Sequence, residues 1–469
     1  MISEKKLKDL RTAVPTNQES PFKIHELFFS VTDPKSNMTF INEIFERVSK
    51  FDHEEIIGQP HKLIRHPDMP RAVFKIFWDR LKADKPVAAY VKNMAKDGTY
   101  YWVKALAFPC DGGYLSIRLK PTSDLFDKIK DIYSETLQVE QAKEEEIGKR
   151  KAMEQSEEYL LELLKNEGFS DYEEFMWNAL QQEMHQREEA LAKTTDTTRS
   201  HTEEVPEALL ELEPVLQELV ISLNSLQDMH QDLVQYSDYI LELARSILLL
   251  SINAQIGSSK LDQDDIALSV IAEQMGEQSI EGEEKLLEMK DNIQGVSDLV
   301  GMLNFEIVAS KLQVEMTIDF MDEIAADAYV GKKSTITADK SIELLYDAFL
   351  PRLSTIKNGL GELPNYLKKL LTNVEEIEKF LLILRLIHNT GKVEIARLND
   401  DSNSFHTTIQ DLLEEVTTAQ EHLDKLTTLV HKNKKMGEQY TDRQQDLNAL
   451  ISELQEHAHA SSDASEGDE

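Results

Sequence analysis

Leu212, Leu219, Leu226, Leu233, Ile240 and Ile247 fall at strict seven-residue spacing. An apolar row with that period stays on one face only along a long helix that packs lengthwise against another. The positions four residues on are Leu216, Leu223, His230, Ser237, Ala244 and Ser251, which become small along the chain. Small companions let helices approach closely, so the pattern predicts a coiled coil or four-helix bundle. A second row follows at Leu286, Ile293, Val300, Ile307, Val314 and Met321, beside Met289, Val296, Leu303 and Ile324, with Ser310 and Thr317 filling the gaps. The polar stretch Gly257-Ser258-Ser259-Lys260 separates the two rows, so 201–330 reads as an antiparallel helical hairpin. His230, set among packing positions, reads as an interhelix residue rather than a ligand.

A less regular second hairpin is expected over 335–457. Residues 337–387 rise, interrupted by Pro351 and Pro364, and 404–457 descend, with the tip between Asn389 and Ser404. The acidic, small-residue tail 458–469 reads as disordered. Upstream, 122–200 is a helical linker. It holds an exit helix over 121–165, densely charged between Glu140 and Arg150, then a second piece over 171–192 and a break at Thr194-Thr195-Asp196-Thr197-Thr198.

The front of the chain has a different texture. Residues 1–22 show no pattern. From 23 to 121, Leu27 to Thr32 and Met38 to Ile41 read as a strand pair around the turn Asp33-Pro34-Lys35-Ser36-Asn37. A helical zone with a Gly58-Gln59-Pro60 breaker runs to Leu81. Three strands follow, Val87 to Met94, Tyr100 to Pro109 and Gly113 to Leu119, joined by Lys96-Asp97-Gly98 and Asp111-Gly112-Gly113. Two strands, helices and three strands predict a five-stranded antiparallel sheet with helices on one side. The fold class is thus an α+β domain followed by a mostly all-α helical-bundle region.

A formal charge of −35 argues against a nucleic-acid partner and against docking on an anionic membrane. The single cysteine, Cys110, excludes an intrachain disulfide and a cysteine-based metal cluster. The polar start MISEKKLKDLRTAVP does not read as a secretory signal, and the longest apolar run, Ile247 to Leu250, is far too short to insert in a membrane. A cytoplasmic location is expected. No phosphate-binding loop, paired-carboxylate pocket or kinase signature is found, so the chain reads as non-enzymatic.

The most specific stretch is Gly58-Gln59-Pro60-His61-Lys62-Leu63-Ile64-Arg65-His66-Pro67-Asp68-Met69-Pro70. Its prolines impose a bent, non-helical loop that presents a cation, an imidazole and a carboxylate together. Such a loop suits a ring-shaped or phosphate-bearing ligand, or is a structural loop whose charges pair internally. Together with Val91-Lys92-Asn93, Asp97-Gly98-Thr99-Tyr100-Tyr101-Trp102-Val103 and Leu115-Ser116-Ile117-Arg118, it resembles the PAS domain of bacterial aerotaxis receptors over residues 24–121. The resemblance implies non-covalent FAD, with Asn42, Arg65, His66, Asp68 and Asn93 lining or ordering the pocket and Trp102 in the strand core. Where that family has a flavin-contacting tryptophan this chain has Val87, which leaves haem, a small metabolite or an empty pocket as alternatives.

Leu249-Leu250-Ser251-Ile252-Asn253-Ala254-Gln255-Ile256 resembles the ascending half of the methyl-accepting chemotaxis receptor tip, and Val393-Glu394-Ile395-Ala396-Arg397 with Phe405 the complementary half. Gly257-Ser258-Ser259-Lys260 replaces the family's Glu-Ala-Ala-Arg, so the two tips read as degenerate copies. The reading implied is a homodimeric redox or energy sensor, with a chemotaxis coupling protein and histidine kinase as possible partners. In it the signal runs directly through 121–200. The rival readings are a PAS-containing scaffold outside the chemotaxis array, in biofilm or motility control, and a flavoenzyme.

Overall fold

The computed structural model describes residues 13–193, 201–258, 266–398 and 404–466. The chain divides into two compact units. One comprises residues up to 221 together with 304–356 and 446 onward, and the other comprises 222–303 and 357–445. These units cut across the long helices and do not follow the two successive hairpins read from the sequence.

In the first unit, β1 (Phe28–Thr32), β2 (Met38–Ile41), β3 (Val87–Met94), β4 (Tyr100–Cys110) and β5 (Gly113–Leu119) form one antiparallel sheet in the order β2-β1-β5-β4-β3. The turn chemistry sets the register. Asp33 accepts from the Lys35 and Asn37 backbone N–H groups at 2.8 Å each, closing the β1–β2 turn. Asp111-Gly112 closes β4 onto β5 with Cys110 opposite Gly113 and Gly112 at φ 72°, where glycine carries no steric penalty. Between β2 and β3 lie α1 (Glu43–Ser49), α2 (His53–Ile56), a 3-10 turn (His61–Ile64) and α3 (Arg71–Lys82).

Strand alternation gives the sheet two unlike faces. The inner face, toward α3, carries Ser30, Val91, Asn93, Ala105, Ala107, Ser116 and Arg118. The outer face carries Phe29, Tyr90, Trp102, Lys104 and Phe108. Trp102 packs here, its ring 5.3 Å from Phe126 and 6.5 Å from Tyr133. Those partners belong to α4 (Asp124–Ile147), which is followed by α5 (Lys149–Asn166) and α6 (Tyr172–Ala192).

The continuous exit helix expected over 121–165 is broken at Gly148, whose φ of 82° ends one helix and begins the next. Helix-favouring residues on both sides hid the break in the sequence. The two pieces fold back on each other, with Ser156 Oγ donating to Glu140 at 2.9 Å.

The long helices are α7 (Glu207–Ser258), α8 (Ile266–Ala325), α9 (Ala338–Leu398) and α10 (Ser404–Glu466). Pro351 and Pro364 do not interrupt α9, contrary to the sequence reading. Each proline removes one N–H from a 61-residue ladder, and Leu353, Leu360, Leu363 and Leu367 pack on either side. Helix α10 runs to Glu466, past the expected start of a disordered tail at 458, because 458–466 contains neither Gly nor Pro.

Most heptad residues are core residues: Leu212, Leu219, Leu233, Ile247, Leu286, Ile293, Val300, Ile307 and Val314 are all buried. Met321 is only half-buried. The side chains of Leu226, His230 and Ile240, and the tips 259–265 and 399–403, lie outside the described residues. Within the second unit all four long helices share one core. Tyr239, Met289, Ile377 and His422, one from each helix, face a common interior space. Gly282 marks a close approach there, since a Cβ at that position would lie 2.2 Å from the Phe380 ring.

Candidate ligand cavity

Pro60 and Pro70 hold extended backbone at the starts of the 3-10 turn and of α3, and between them a turn at Pro67-Asp68 is closed by the Met69 N–H donating to the His66 carbonyl at 3.2 Å. Phe74, Phe77, Trp78 and Leu81 recur at helical spacing on one face of α3 and form a roof. Beneath them the sheet offers small side chains, Ser30, Ala105, Ala107 and Ser116. A bulky roof over a floor of small residues leaves a slot. The unfilled space is about 490 Å³, part of it continuous with solvent, and its remaining lining includes Thr32, His61, Val91, Asn93, Tyr114 and Arg118.

The slot is electrostatically unusual. Arg118 is 1% exposed, and among the described residues no carboxylate pairs with it. Its Nη2 donates to Ser30 Oγ at 3.1 Å and to His61 Nε2 at 2.7 Å, and Nη1 donates to the Ser116 carbonyl at 3.1 Å. Burial pushes the guanidinium pKa down to about 10. Burial, then the adjacent guanidinium, drives His61 down to about 3, so the imidazole is neutral and accepts at Nε2. The Asn93 Nδ2 and Ser116 Oγ atoms are buried and have no partner. Buried donors without acceptors are rare in finished cores, and here they line a space.

The five residues expected at the pocket take different roles. Asn93 lines the slot. Arg65 forms a backbone bridge with Asn93, donates to the Met69 carbonyl at 2.7 Å and lies 4.4 Å over the Phe74 ring, supporting the roof from behind. His66 is buried, and its Nδ1 accepts from the Asp68 backbone N–H at 3.1 Å. Asp68 is exposed and pairs with Lys92 at 2.8 Å, so it orders the loop from outside.

Asn42 does not reach the slot. Its Oδ1 caps α1 at Phe45 N and accepts from Phe29 N, and its Nδ2 donates to Glu323 at 3.0 Å on the far side of the sheet. Val87 is buried on β3 opposite Ala107, and aromatic surface comes instead from α3 and Tyr114. Sequence reasoning missed His61, Trp78 and Arg118 as lining residues. The Phe74-x-x-Phe77-Trp78 spacing on one short helix was the available signal.

A family described as the PAS fold matches residues 38–114. The front module is a PAS domain. The aerotaxis receptor of Escherichia coli (strain K12) is 39% identical over 123 residues, 25% of this chain and 24% of the receptor. The nitrogen fixation regulatory protein of Klebsiella pneumoniae is 28% identical over 74 residues, 16% of this chain and 15% of that protein. The chain therefore spans about a quarter or less of these relatives. Among solved structures, the PAS domain of a protein from Colwellia psychrerythraea shares 20% identity over 20% of this chain and 86% of that chain, with a TM-score of 0.19. The LOV domain of a blue-light activated histidine kinase from Erythrobacter litoralis EL346 shares 13% identity over 20% of this chain and 92% of its own, also with a TM-score of 0.19. The chain carries a PAS domain that is similar, over that region, to the aerotaxis receptor. No described helix is long and apolar enough to cross a membrane.

The outer face of the PAS sheet is covered by helices from later in the chain, all within the first unit. Phe320 of α8 packs 4.8 Å from Phe29 and 5.4 Å from Phe40, and Arg352 of α9 lies 4.0 Å over Phe108. Glu183 of α6 is fully buried and accepts from Tyr90 Oη at 2.8 Å, Ser123 Oγ at 2.5 Å, Thr122 N at 2.6 Å and Ser123 N at 3.1 Å. One carboxylate thus ties β3 to the start of α4.

Proposed function

We propose that the chain is a cytoplasmic, non-enzymatic redox or energy sensor whose PAS slot holds FAD. The observation that carries this reading is the pairing of an unmatched buried cation, Arg118, with the unmatched Asn93 amide in one aromatic-roofed slot. A planar ring with an electron-rich, hydrogen-bond-accepting edge suits both groups. Asn93 and Arg118 would hold that edge, while Trp78, Phe77 and Tyr114 would cover the ring and exclude water. A bound flavin would supply reversible electron transfer and a change of charge at its edge.

The chain's own residues would carry the change outward. Asn93 lies on β3 and Arg118 on β5, the strands whose other faces carry Tyr90 and Ile117, so a shift of either strand bears on Glu183 and the start of α4. The direct packing of Phe320 on Phe29 and Phe40 offers a second route that bypasses 121–200. The long helices would then shift between two packings. A homodimer, with a chemotaxis coupling protein and histidine kinase downstream, completes the proposal, although the helical core of the second unit already closes within one chain.

The visible absorbance spectrum of the freshly purified chain tests the reading. The expected result is an oxidised flavin that bleaches on reduction and is lost in Asn93→Ala and Arg118→Met variants that remain folded. A Soret band, or full retention of flavin in both variants, would overturn it.

A further inference from the structure

The roof helix α3 begins at Arg71 without a capping side chain of its own. Its first N–H groups go instead to a carboxylate from another element. Glu140, in α4, accepts from Arg71 N at 2.9 Å and Ala72 N at 3.2 Å. The same carboxylate takes Arg71 Nε at 2.8 Å and Ser156 Oγ of α5 at 2.9 Å, and it is 2% exposed. Glu144 holds another nitrogen of the Arg71 guanidinium, and Lys75 reaches Glu157 of α5 at 2.8 Å.

A buried carboxylate is expensive unless donors surround it. Here they do, and the helix start adds the favourable end of its dipole. An ordinary surface pair would leave the Glu140 carboxylate in water. This one is drawn into the junction of three helices, directly behind the turn that places Phe74, Phe77 and Trp78 over the slot.

We propose that Glu140 is a positioning residue that couples the roof of the PAS slot to the α4–α5 hairpin. A displacement of α3 from the slot side moves the hairpin, and loosening the hairpin loosens the roof. The proposed function supplies the identity of the ligand and the reason for the coupling, but the coupling itself is a property of the ligand-free chain.

Amide hydrogen exchange on the full chain without ligand tests it in a four-protein cycle: wild type, Trp78→Leu, Glu140→Gln and the double variant. Trp78→Leu thins the roof packing and is expected to speed exchange over 149–166. Glu140→Gln is expected to speed exchange over 71–82, and the double variant to exceed Glu140→Gln only slightly over 149–166. Unchanged exchange over 149–166 in Trp78→Leu, or strictly additive effects, would overturn the proposal. If Glu140→Gln does not fold, Ser156→Ala removes one donor, leaves the charge in place and completes the same cycle. With FAD as probe, Glu140→Gln is expected to bind roughly tenfold more weakly than wild type, the scale of one lost charged hydrogen bond. A wild-type chain that takes no FAD refutes the flavin reading alone, and the exchange cycle then decides the coupling.

Discussion

Replacing Lys104 by methionine is expected to stabilise the PAS domain at neutral pH rather than damage it. Lys104 sits in the outer-face core, fully buried, with Nζ 4.0 Å from the Tyr90 ring centroid and 5.4 Å from that of Phe175. The Nζ atom has no hydrogen-bond partner. Burial drives its pKa from the ordinary 10.5 down to about 7, with the Glu183 charge opposing that shift. The folded protein therefore releases this proton above about pH 7, while the unfolded chain keeps it up to 10.5.

Unfolding takes up a proton across that interval, so the stability contributed by this group rises with pH through it and is flat below. At 1.36 kcal/mol per pH unit, the whole interval corresponds to about 5 kcal/mol of penalty in force below pH 7, of which about 2 kcal/mol remains near pH 9. The gain from Lys104→Met should accordingly be about 3 kcal/mol larger near pH 6 than near pH 9. The assay is urea unfolding followed by tryptophan fluorescence, because all three tryptophans, Trp78, Trp102 and Trp177, lie in or beside the PAS domain. A variant less stable than wild type near pH 6, or a wild-type midpoint that does not climb between about pH 7 and about pH 9, would refute the reasoning.

Gly282→Ala should destabilise the second unit by about 1–3 kcal/mol, because the new Cβ would have to displace the Phe380 ring. Far-UV circular dichroism melts read this, and an unchanged helical transition would count against the packing described. Burial raises the Glu323 carboxyl to about 7, so the folded protein holds that proton to higher pH than the unfolded chain and its stability falls as pH climbs from 4.5 to about 7. Glu323→Gln should flatten this fall without lowering stability near pH 8; a loss of stability there, in the same urea assay, would mean that the carboxylate charge is itself needed at the Asn42 contact.

Much of the fold was legible because local chemistry dictates it. The ranges of β2, β3 and β5 follow from short strand-like runs bounded by turn residues, and the heptad rows follow long helices with buried seams. Gly148 was invisible because a single left-handed glycine between two helix-favouring runs leaves no mark on periodicity. The site was harder to read. Arg118 meets His61 across 57 residues, and spacing along the chain carries no record of that meeting. Asn42 could be recognised as a helix cap, but its remaining amide hydrogen bond goes to Glu323, 281 residues away, which only the folded chain reveals. Resemblance assigned Asn42 to the pocket, whereas hydrogen-bond geometry assigns it to the contact with α8.

The contents of the slot are expected to bias the helices on the opposite face of the sheet. Hydrogen exchange of the chain supplied with FAD, compared between oxidised and chemically reduced samples, tests this most directly. The expected result is altered exchange in α6 and over 304–325 of α8. Changes confined to the strands and α3, with both helical segments indifferent to redox state, would contradict it.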